Sequence, residues 1–336
     1  MNHTTVIIGL LFIIGIAGLY AVFGKSEFAL PHASNLSAPT EDSGASSPGH
    51  EVSTTDGVKH SIPLEEILSG GPGKDGIPSI DNPKFVSARE AETFLDPGDP
   101  GIGVVVSGES RFYPYKILVW HEIVNDTVQG VPVLVTYCPL CSTGIVFRRE
   151  VNGTAQEFGV SGQLWQSNLL MYNRAKDENN ESLWSQVLGE AVVGVHTGAK
   201  LPIIPSDAVR WSDWKDAHAD TTVLSKDTGA LRDYGRDPYG DYYTNSSVSF
   251  GARFDDDRLH PKALIHGIEV EGLYKAYPDA AVSALDGKLE DSFAGKTVII
   301  TKTDSGGVRF EVDGSSTPSI PAFWFSWIAV LAIVQA

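Results

Sequence analysis

VVVSGESRFYPYKILVWHEIVNDTVQGVPVLVTYCPLCSTGIVFRREVNG, residues 104–153, decides the fold, because it resembles a second stretch of the same chain. That stretch, residues 265–314, reads IHGIEVEGLYKAYPDAAVSALDGKLEDSFAGKTVIITKTDSGGVRFEVDG. The matching residues keep a nearly constant separation: Tyr113-Pro114 with Tyr277-Pro278, Asp126 with Asp291, Gly130 with Gly295, Phe147 with Phe310 and Gly153 with Gly314. Short β-branched and aromatic runs between Gly, Pro and Asn-Asp turns are typical of strands. The sequence predicts a mainly β fold with few short helices and an internally duplicated β-unit, at about 104–153 and 265–314.

Shorter runs predict the elements of that fold, although β-meanders of similar composition can also resemble one another by chance. Strands are expected at Lys116–Val124, Val131–Tyr137, Gly144–Arg149, Ala191–Val195 and Thr297–Thr301. Helices are expected at Ser87–Phe94, Pro205–Ala217 and Leu273–Tyr277. A simple hairpin of the first two strands, turning at Asn125–Gly130, would pair Val124 with Val131. It would bury His121 about 13 Å from Cys138.

The amino terminus predicts attachment to a membrane. Val6–Phe23 is an uncharged apolar run, long enough for a bilayer core of about 30 Å. We expect residues 1–25 to form a membrane anchor or signal segment, and the lack of Lys or Arg before the run favours an uncleaved anchor. Residues 26–60 are rich in Ser, Thr, Pro and Gly and predict a flexible stalk. Residues 61–336 remain for a β-rich ectodomain.

Two further features concern location and partners. N-x-[S/T] triplets suggest a glycoprotein whose domain faces the extracytoplasmic side; they begin at Asn2, Asn35, Asn125, Asn152, Asn180 and Asn245. The net charge of −17, without a local Lys/Arg cluster, argues against nucleic-acid binding. The only partner that the sequence predicts directly is the membrane, through the N-terminal helix, and a protein or glycan partner stays unspecified.

The two cysteines of the chain, in Cys138-Pro139-Leu140-Cys141, are its most distinctive chemical feature. A strand before the pair and a turn and strand after it are typical of a metal knuckle, because thiolates bind soft metals. We therefore expect a site for copper, ahead of zinc, formed by Cys138 and Cys141 with His121 as the third ligand. Candidate substitutes for His121 are His196, His218 and Met171.

The sequence is also compatible with two different roles for the thiols. In a thiol–disulfide oxidoreductase, Cys138 would be the nucleophile, with a lowered pKa, and Cys141 would resolve the mixed disulfide. Alternatively the thiols form an inert disulfide, and the chain is a non-catalytic module that binds a glycan or a cell-envelope partner. Polar and aromatic stretches that could line such a groove are 161–168 with 182–186, and 227–234 with 237–243. Motifs of ordinary hydrolases, nucleotide-binding proteins and zinc proteases are absent from the sequence.

Several short motifs together resemble the prokaryotic domain-of-unknown-function family 3179. They are W-H-E-I-V-N-D at Trp120–Asp126, V-T-Y-C-P-L-C at Val135–Cys141, F-G-V-S-G at Phe158–Gly162, M-Y-N-R at Met171–Arg174, S-L-W-S-Q at Ser182–Gln186, and L-S-x-D-T-G with R-D-Y within Leu224–Tyr234. The resemblance covers about Val104 to Trp327. It implies that the cysteine pair and His121 belong to a shared pattern, and it implies no activity. The chain departs from that pattern at Ser142, where a Gly is expected.

Overall fold

A computed structural model describes residues 51–334, with side chains as far as Leu331. The predicted anchor, residues 1–25, and most of the predicted stalk lie outside the described residues. Within residues 51–334, none of the helices is both long enough and apolar enough to cross a membrane. The fold is mainly β, as predicted, and its sheets are arranged like the blades of a four-bladed propeller.

Short strands make up most of the described chain. In order, they are β1 (Ser53–Thr55), β2 (Val58–His60), β3 (Leu68–Ser69), β4 (Phe85–Ser87), β5 (Pro100–Val106), β6 (Glu109–Pro114), β7 (Ile123–Val128), β8 (Val131–Cys138), β9 (Thr143–Arg148), β10 (Glu150–Val151), β11 (Thr154–Ala155), β12 (Phe158–Trp165), β13 (Asn168–Asn173), β14 (Ser182–Ser185), β15 (Glu190–Gly194), β16 (Ile203–Ile204), β17 (Ser206–Arg210), β18 (Thr222–Leu224), β19 (Leu264–Val270), β20 (Leu273–Pro278), β21 (Lys288–Phe293), β22 (Lys296–Lys302), β23 (Val308–Val312), β24 (Ser315–Thr317) and β25 (Ile320–Phe323). The helices are α1 (Ala88–Ala91), α2 (Tyr115–Leu118), α3 (Trp211–Ala217), α4 (Asp279–Ser283) and α5 (Trp324–Val334). Strands β1 and β2 pair and continue onto β15, so residues 53–60, at the end of the predicted stalk, belong to a sheet.

The internal duplication is visible in the order of elements. Each repeat begins with a hairpin, β5–β6 or β19–β20, continues through a short helix, α2 or α4, and then forms a three-stranded meander, β7–β8–β9 or β21–β22–β23. A later strand pairs with the first strand of each hairpin, β17 with β5 and β25 with β19. A helix with a W-x-x-W start follows in both cases, α3 or α5. The repeat is therefore longer than the two stretches that suggested it.

The tryptophan that ends each W-x-x-W packs on a glycine of the first hairpin strand. A Cβ at Gly103 would lie 2.2 Å from Trp214 Cε3, and a Cβ at Gly267 would lie 2.0 Å from Trp327 Cζ3. These distances are far below any van der Waals contact, so only glycine admits the indole at either site. The two helices are thus docked in the same way in both repeats.

The first repeat also carries an insertion. Equivalent residues lie 164 apart in the hairpins, as Gly103 and Gly267 do, but 113 apart in the closing helices, as Trp211 and Trp324 do. The difference of 51 residues falls between β9 and β16, where the first repeat holds β10 to β15. Four of these strands lie in a seven-stranded sheet of order β1-β2-β15-β14-β13-β12-β3.

The strand register shows that two of the residue pairs matched from the sequence are not equivalent. Val135 pairs with Val146, whereas Ile300 pairs with Phe310, so Phe310 is the equivalent of Val146 and not of Phe147. Gly153 lies in the turn between β10 and β11, inside the insertion, and it has no equivalent at Gly314. The matches at Tyr113-Pro114 and Asp126 hold.

The predicted strand Lys116–Val124 is wrong, and so is its hairpin register. Helix α2 occupies 115–118, β7 begins at Ile123, and Val128 rather than Val124 pairs with Val131. The reason is a two-residue turn at Gln129 and Gly130, whose φ values of 47° and 79° suit a type I′ hairpin.

Among the other predicted elements, the strands are confirmed and the helices are shorter than predicted or replaced by strands. The strands at 131–137, 144–149, 191–195 and 297–301 are confirmed. The predicted helix Leu273–Tyr277 is strand β20, and a helix begins only after Pro278, which cannot donate a backbone hydrogen bond and suits the start of a helix. The first half of the predicted helix Pro205–Ala217 is β17, and the predicted helix Ser87–Phe94 is reduced to α1 behind a Ser87 capping box.

Candidate functional site

The two thiols lie in the turn between β8 and β9. Cys138 is the last residue of β8, and the Cys141 amide donates to its carbonyl oxygen over 3.2 Å. Strand β9 begins at Thr143, which pairs with Cys138, so the predicted order of strand, turn and strand is confirmed. The sulfurs are not bonded to each other, and the two residues are only 1% and 0% exposed.

The insertion covers this turn. The Ser167 carbonyl oxygen, in the turn between β12 and β13, accepts from Cys141 Sγ at 3.3 Å and from Cys138 Sγ at 3.8 Å. The Asn168 side-chain amide donates to Cys141 Sγ at 3.7 Å. Ser167 therefore offers the Cys141 sulfur a hydrogen-bond acceptor, and Asn168 offers the same sulfur a donor.

A buried polar network fixes these partners. Gln186 Oε1 accepts from Asn168 Nδ2 at 3.0 Å, and Gln186 Nε2 donates to Thr136 Oγ1 and to the Thr143 carbonyl oxygen, each at 3.0 Å. Asn168, Gln186, Thr136 and Thr143 are all fully buried. Because an unmet hydrogen bond in such a place costs about 1–3 kcal/mol, the network holds Asn168 against the sulfur.

The second repeat contributes the start of α5. The Phe323 amide, next to that helix, donates to the Cys141 carbonyl oxygen over 2.8 Å. Ser326 Oγ is buried and has no hydrogen-bond partner among the described residues, yet the hydroxyl lies close enough to Cys141 to help lower the pKa of its thiol. The thiols thus sit where the first repeat, its insertion and the second repeat meet.

The surroundings of the two thiols shift their pKa values in opposite directions. Burial, followed by the hydrogen bond with Cys141, raises the pKa of Cys138 well above its ordinary value. Burial also opposes ionisation of Cys141, but the hydrogen bond with Cys138, the nearby Ser326 hydroxyl and the Asn168 amide outweigh it and lower the Cys141 pKa. This arrangement favours a thiolate at Cys141 next to a thiol at Cys138, and it reverses the roles assigned from the sequence.

His121 is held away from the thiols. It is 1% exposed, one ring nitrogen, Nδ1, lies 2.7 Å from the Pro78 carbonyl oxygen, and Nε2 lies 2.7 Å from the Tyr234 hydroxyl. Burial lowers the pKa of His121, which keeps the ring neutral. The predicted triad of Cys138, Cys141 and His121 is not assembled, because both ring nitrogens already have partners.

Among the described residues, neither histidine proposed as a substitute for His121 completes a metal-binding group with the thiols. His196 packs near Trp184, with ring centroids 6.1 Å apart, and His218 stacks on Trp214 at 4.0 Å. Met171 belongs to the same apolar cluster as the two cysteines, as a fully buried core residue. Within residues 51–334, no group of three or more His, Cys, Asp and Glu side chains could hold a metal ion.

Both stretches predicted to form a ligand groove border cavities. In the first stretch, Ser161, Gln163, Ser182 and Leu183 line a cavity of about 640 Å³, whereas Ser167, Asn168 and Gln186 are buried around the thiols. The other stretch borders a cavity of about 690 Å³ beside the cysteine turn, lined by, among others, Tyr115, Tyr137, Ser142, Tyr243, Lys262 and Phe323. The segment that borders the cavity also crosses the turn, since the Tyr242 hydroxyl donates to the Leu140 carbonyl oxygen over 3.0 Å.

One predicted glycosylation position is wrong. Asn125 is 3% exposed, its Nδ2 donates to Asp81 and to the Phe158 carbonyl oxygen, and its Oδ1 accepts from the Phe158 amide. A glycan cannot be accommodated there in the folded chain. Asn152 and Asn180 are exposed, while Asn2 and Asn35 lie outside the described residues.

Sequence reasoning missed the residues that surround the sulfurs. Asn168 and Gln186 lie within or next to motifs that carried the family resemblance, but their polar character suggested a groove. Ser326 gave no signal, because its equivalent in the first repeat is Asp213, a residue of different chemistry. The link between these residues and the thiols exists only in three dimensions.

Comparison with curated proteins and with solved structures gives no match to this chain. The family model described as "Protein of unknown function (DUF3179)" matches residues 74–315. This range begins earlier and ends sooner than the span inferred from the motifs, and it contains both repeats up to the turn before β24. The chain therefore belongs to the DUF3179 family.

Proposed function

We propose that Cys138 and Cys141 form a redox-active dithiol that exchanges with a low-molecular-weight disulfide. The observation that carries this proposal is the contact of two unbonded sulfurs, three residues apart, with one buried carbonyl oxygen of Ser167. A purely apolar core would not need the amide of Asn168 aimed at one of these sulfurs. The same turn places both sulfurs where one can follow the other in an exchange reaction.

The exchange needs no further reagent. The Cys141 thiolate attacks one sulfur of a disulfide R–S–S–R, forms Cys141–S–S–R and releases one thiolate RS⁻. Cys138 then gives its proton to the released RS⁻ and attacks the Cys141 sulfur, which closes the Cys138–Cys141 bond and releases the second RS⁻. The chain loses two electrons, and the disulfide substrate gains them as two thiols.

Burial restricts the substrate to a small molecule. The thiols are at most 1% exposed, so the disulfide of a folded protein does not reach them in this conformation. Tyr137 and Ser142, which flank the cysteine turn, line the cavity of about 690 Å³, although the thiols themselves do not. Displacement of the segment around Tyr242 would connect that cavity with Cys141.

A redox titration tests the proposal. The protein is equilibrated in buffers of reduced and oxidised glutathione and quenched with an alkylating reagent, and the fraction of free thiols is read by mass. We expect a reversible two-electron transition in the wild type, none in Cys138→Ser or Cys141→Ser, and an unchanged transition in the matched variant Ser142→Ala. Thiols that stay reduced, or that oxidise only irreversibly, would reject the dithiol function.

The same samples test the copper and zinc hypothesis. The described residues supply two thiols and no assembled third ligand, which suits structural zinc poorly because such zinc takes four ligands. Metal analysis of protein purified without added metal is expected to give the same low content in the wild type and in the Cys138→Ser/Cys141→Ser variant. Stoichiometric copper only in the wild type would favour the metal hypothesis over the dithiol.

The place of the reaction is part of the proposal. The apolar run at Val6–Phe23 and the Ser/Thr/Pro-rich spacer support a chain anchored in the membrane with its β domain on the extracytoplasmic side. Thiol–disulfide chemistry is common in oxidising compartments of this kind. Fusion of a topology reporter after residue 60 tests the orientation, and a cytoplasmic signal would contradict it.

A further inference from the structure

Glu122 is a buried acid without a partner. It is 6% exposed, and its carboxyl makes no hydrogen bond or ion pair within the described residues. Its backbone carbonyl accepts from the Tyr137 amide over 2.8 Å, which fixes Glu122 beside the strand that ends at Cys138. Its carboxyl oxygens keep some contact with solvent, because Ser326 Oγ is the only fully buried side-chain N or O atom without a partner among the described residues. A carboxyl that is 6% exposed and unpaired still adds no interaction that would stabilise the fold.

The backbone at Glu122 is unfavourable for this side chain. Its φ of 59° lies in the left-handed region, which is uncommon for residues other than glycine. In the second repeat the equivalent residue is Gly287, with a φ of 93°, because Ile123 pairs with Thr136 just as Lys288 pairs with Thr301. The fold therefore calls for glycine at this position, and the first repeat bears the strain to place a carboxyl there.

Three titratable groups act on that carboxyl. They are Cys138 and Cys141 of the turn and Tyr239 of the segment that borders the cavity. Burial first, and then the electrostatic interaction with Cys138, raises the pKa of Glu122 well above its ordinary value. His121, its neighbour in sequence, turns its ring to Pro78 and Tyr234 instead.

We propose that Glu122 transfers the proton of Cys138 during thiol–disulfide exchange. This inference rests on the proposed dithiol function. While Cys141 is a thiolate, Glu122 stays protonated. Once that thiolate has become the mixed disulfide, its charge is gone, and Glu122 gives its proton to the departing RS⁻. The carboxylate then accepts the Cys138 proton as Cys138 attacks Cys141 and passes it to the second departing RS⁻, so Glu122 is ionised in the disulfide form and two thiols RSH leave.

The pH dependence of the midpoint potential tests this role without any assay of turnover. Each proton taken up with two electrons changes the equilibrium constant tenfold per pH unit, or about 30 mV. If Glu122 ionises in the disulfide form and is protonated in the reduced form, reduction takes up the proton of Cys138 and that of Glu122. We expect about 60 mV per pH unit in the wild type and about 30 mV in Glu122→Gln.

Two further variants make the comparison secure. Glu122→Gly removes the carboxyl and restores the glycine of the second repeat, and it is expected to show the slope of Glu122→Gln even if that variant folds poorly. Glu190→Gln is the matched control, since Glu190 is equally 6% exposed but lies in β15. It is expected to keep the wild-type slope. Oxidation by glutathione disulfide should slow about 100-fold in Glu122→Gln and not in Glu190→Gln.

The outcomes separate the two proposals. Equal slopes in the wild type, Glu122→Gln and Glu122→Gly, with a reversible couple in all three, would overturn the proton role and leave the dithiol function standing. A wild type without a reversible couple would reject both. A difference infrared spectrum between the oxidised and reduced wild type is expected to show one carboxylic acid signal gained on reduction and absent from Glu122→Gln.

Discussion

The turn after the second meander strand differs sharply between the two repeats. In the first repeat it carries two thiols that are almost fully buried. In the second repeat Thr303 takes the place of Cys138, and the turn opens on a cavity of about 360 Å³ bordered by Asp207, Trp214 and Arg309. The insertion accounts for the difference, because it covers only the first turn. The duplication therefore gives two similar turns, and only the turn of the first repeat is a buried polar site.

The helices that contact the two turns, α5 and α3, also differ in the residue that they place there. Ser326, in α5 of the second repeat, lies at the thiols of the first. Its equivalent Asp213, in α3 of the first repeat, lies at the turn of the second, where a Cβ on Gly306 would be 3.3 Å from its Oδ2. Each repeat thus lends a helix start to the turn of the other. A carboxylate at Ser326 would disfavour a thiolate, whereas a hydroxyl supports one.

A carboxylate shared by both repeats gives the largest expected effect. Asp126, 5% exposed at its side chain, binds Arg111 and the Tyr113 hydroxyl, each at 2.5 Å. Asp291 binds Lys275 at 2.6 Å and the Tyr277 hydroxyl at 2.9 Å, with side chains of about 30% exposure.

Asp126→Asn is expected to lower the free energy of unfolding by about 2–4 kcal/mol, because the largely buried Arg111 guanidinium loses its buried partner and keeps only its ion pair with Glu109. Asp291→Asn should cost about 1 kcal/mol or less, since its ion pair is partly solvated. Urea unfolding of the two variants side by side measures the difference. Equal losses would mean that burial does not distinguish the two repeats.

The glycines under the tryptophans should behave alike in both repeats. Gly103→Ala and Gly267→Ala each force a methyl group into an indole, and we expect about 1–3 kcal/mol of destabilisation for each. Gly98→Ala is the control, because a Cβ there meets no atom within 4 Å. Thermal unfolding that spares one of the two variants would show that the helices are not docked equivalently.

Much of the repeat could be predicted from the sequence, because it depends on local signals. The Tyr-Pro and Asp matches mark side chains that bind each other in both copies, Tyr113 with Asp126 and Tyr277 with Asp291. The hairpin register was missed because Asn125, Asp126 and Thr127 resemble a turn, whereas the short turn at Gln129-Gly130 decides the pairing. Buried hydrogen bonds make Asn125 and Asp126 suitable for a strand, which their intrinsic preference does not show.

The site was only half predictable. The cysteine turn follows from its own residues, but its cover comes from Ser167 and Asn168 in the insertion and from Ser326 in the other repeat. Such contacts join distant parts of the chain and leave no periodic signal. The strain at Glu122 does leave a signal in the sequence, because Gly287 stands at the equivalent position in the second repeat.

The insertion predicts unequal roles for a threonine that the repeats share. Thr136 donates to the Ile145 carbonyl oxygen and accepts from Gln186, whereas the Thr301 hydroxyl makes no hydrogen bond within the described residues. Thr136→Val is expected to cost about 1–2 kcal/mol, since Gln186 loses an acceptor. Thr301→Val should change stability by less than about 0.5 kcal/mol. A neutral Thr136→Val in chemical denaturation would remove the insertion network as a source of stability.

The smallest expected effect is the pH dependence at Asp291. Burial opposes ionisation there, but hydrogen bonds from Lys275, Tyr277 and the Ser292 amide outweigh it and lower the Asp291 pKa. A lowered folded-state pKa means that the unfolded chain binds the proton more readily. Its stabilisation is therefore fully present above the unfolded pKa of about 3.9 and is lost as pH falls through the folded value. The difference in unfolding free energy between wild type and Asp291→Asn, at most about 1 kcal/mol at pH 7, should shrink steadily below about pH 4. Denaturant titrations from pH 7 to pH 3 measure it, and a difference that grows on acidification would contradict the assigned sign.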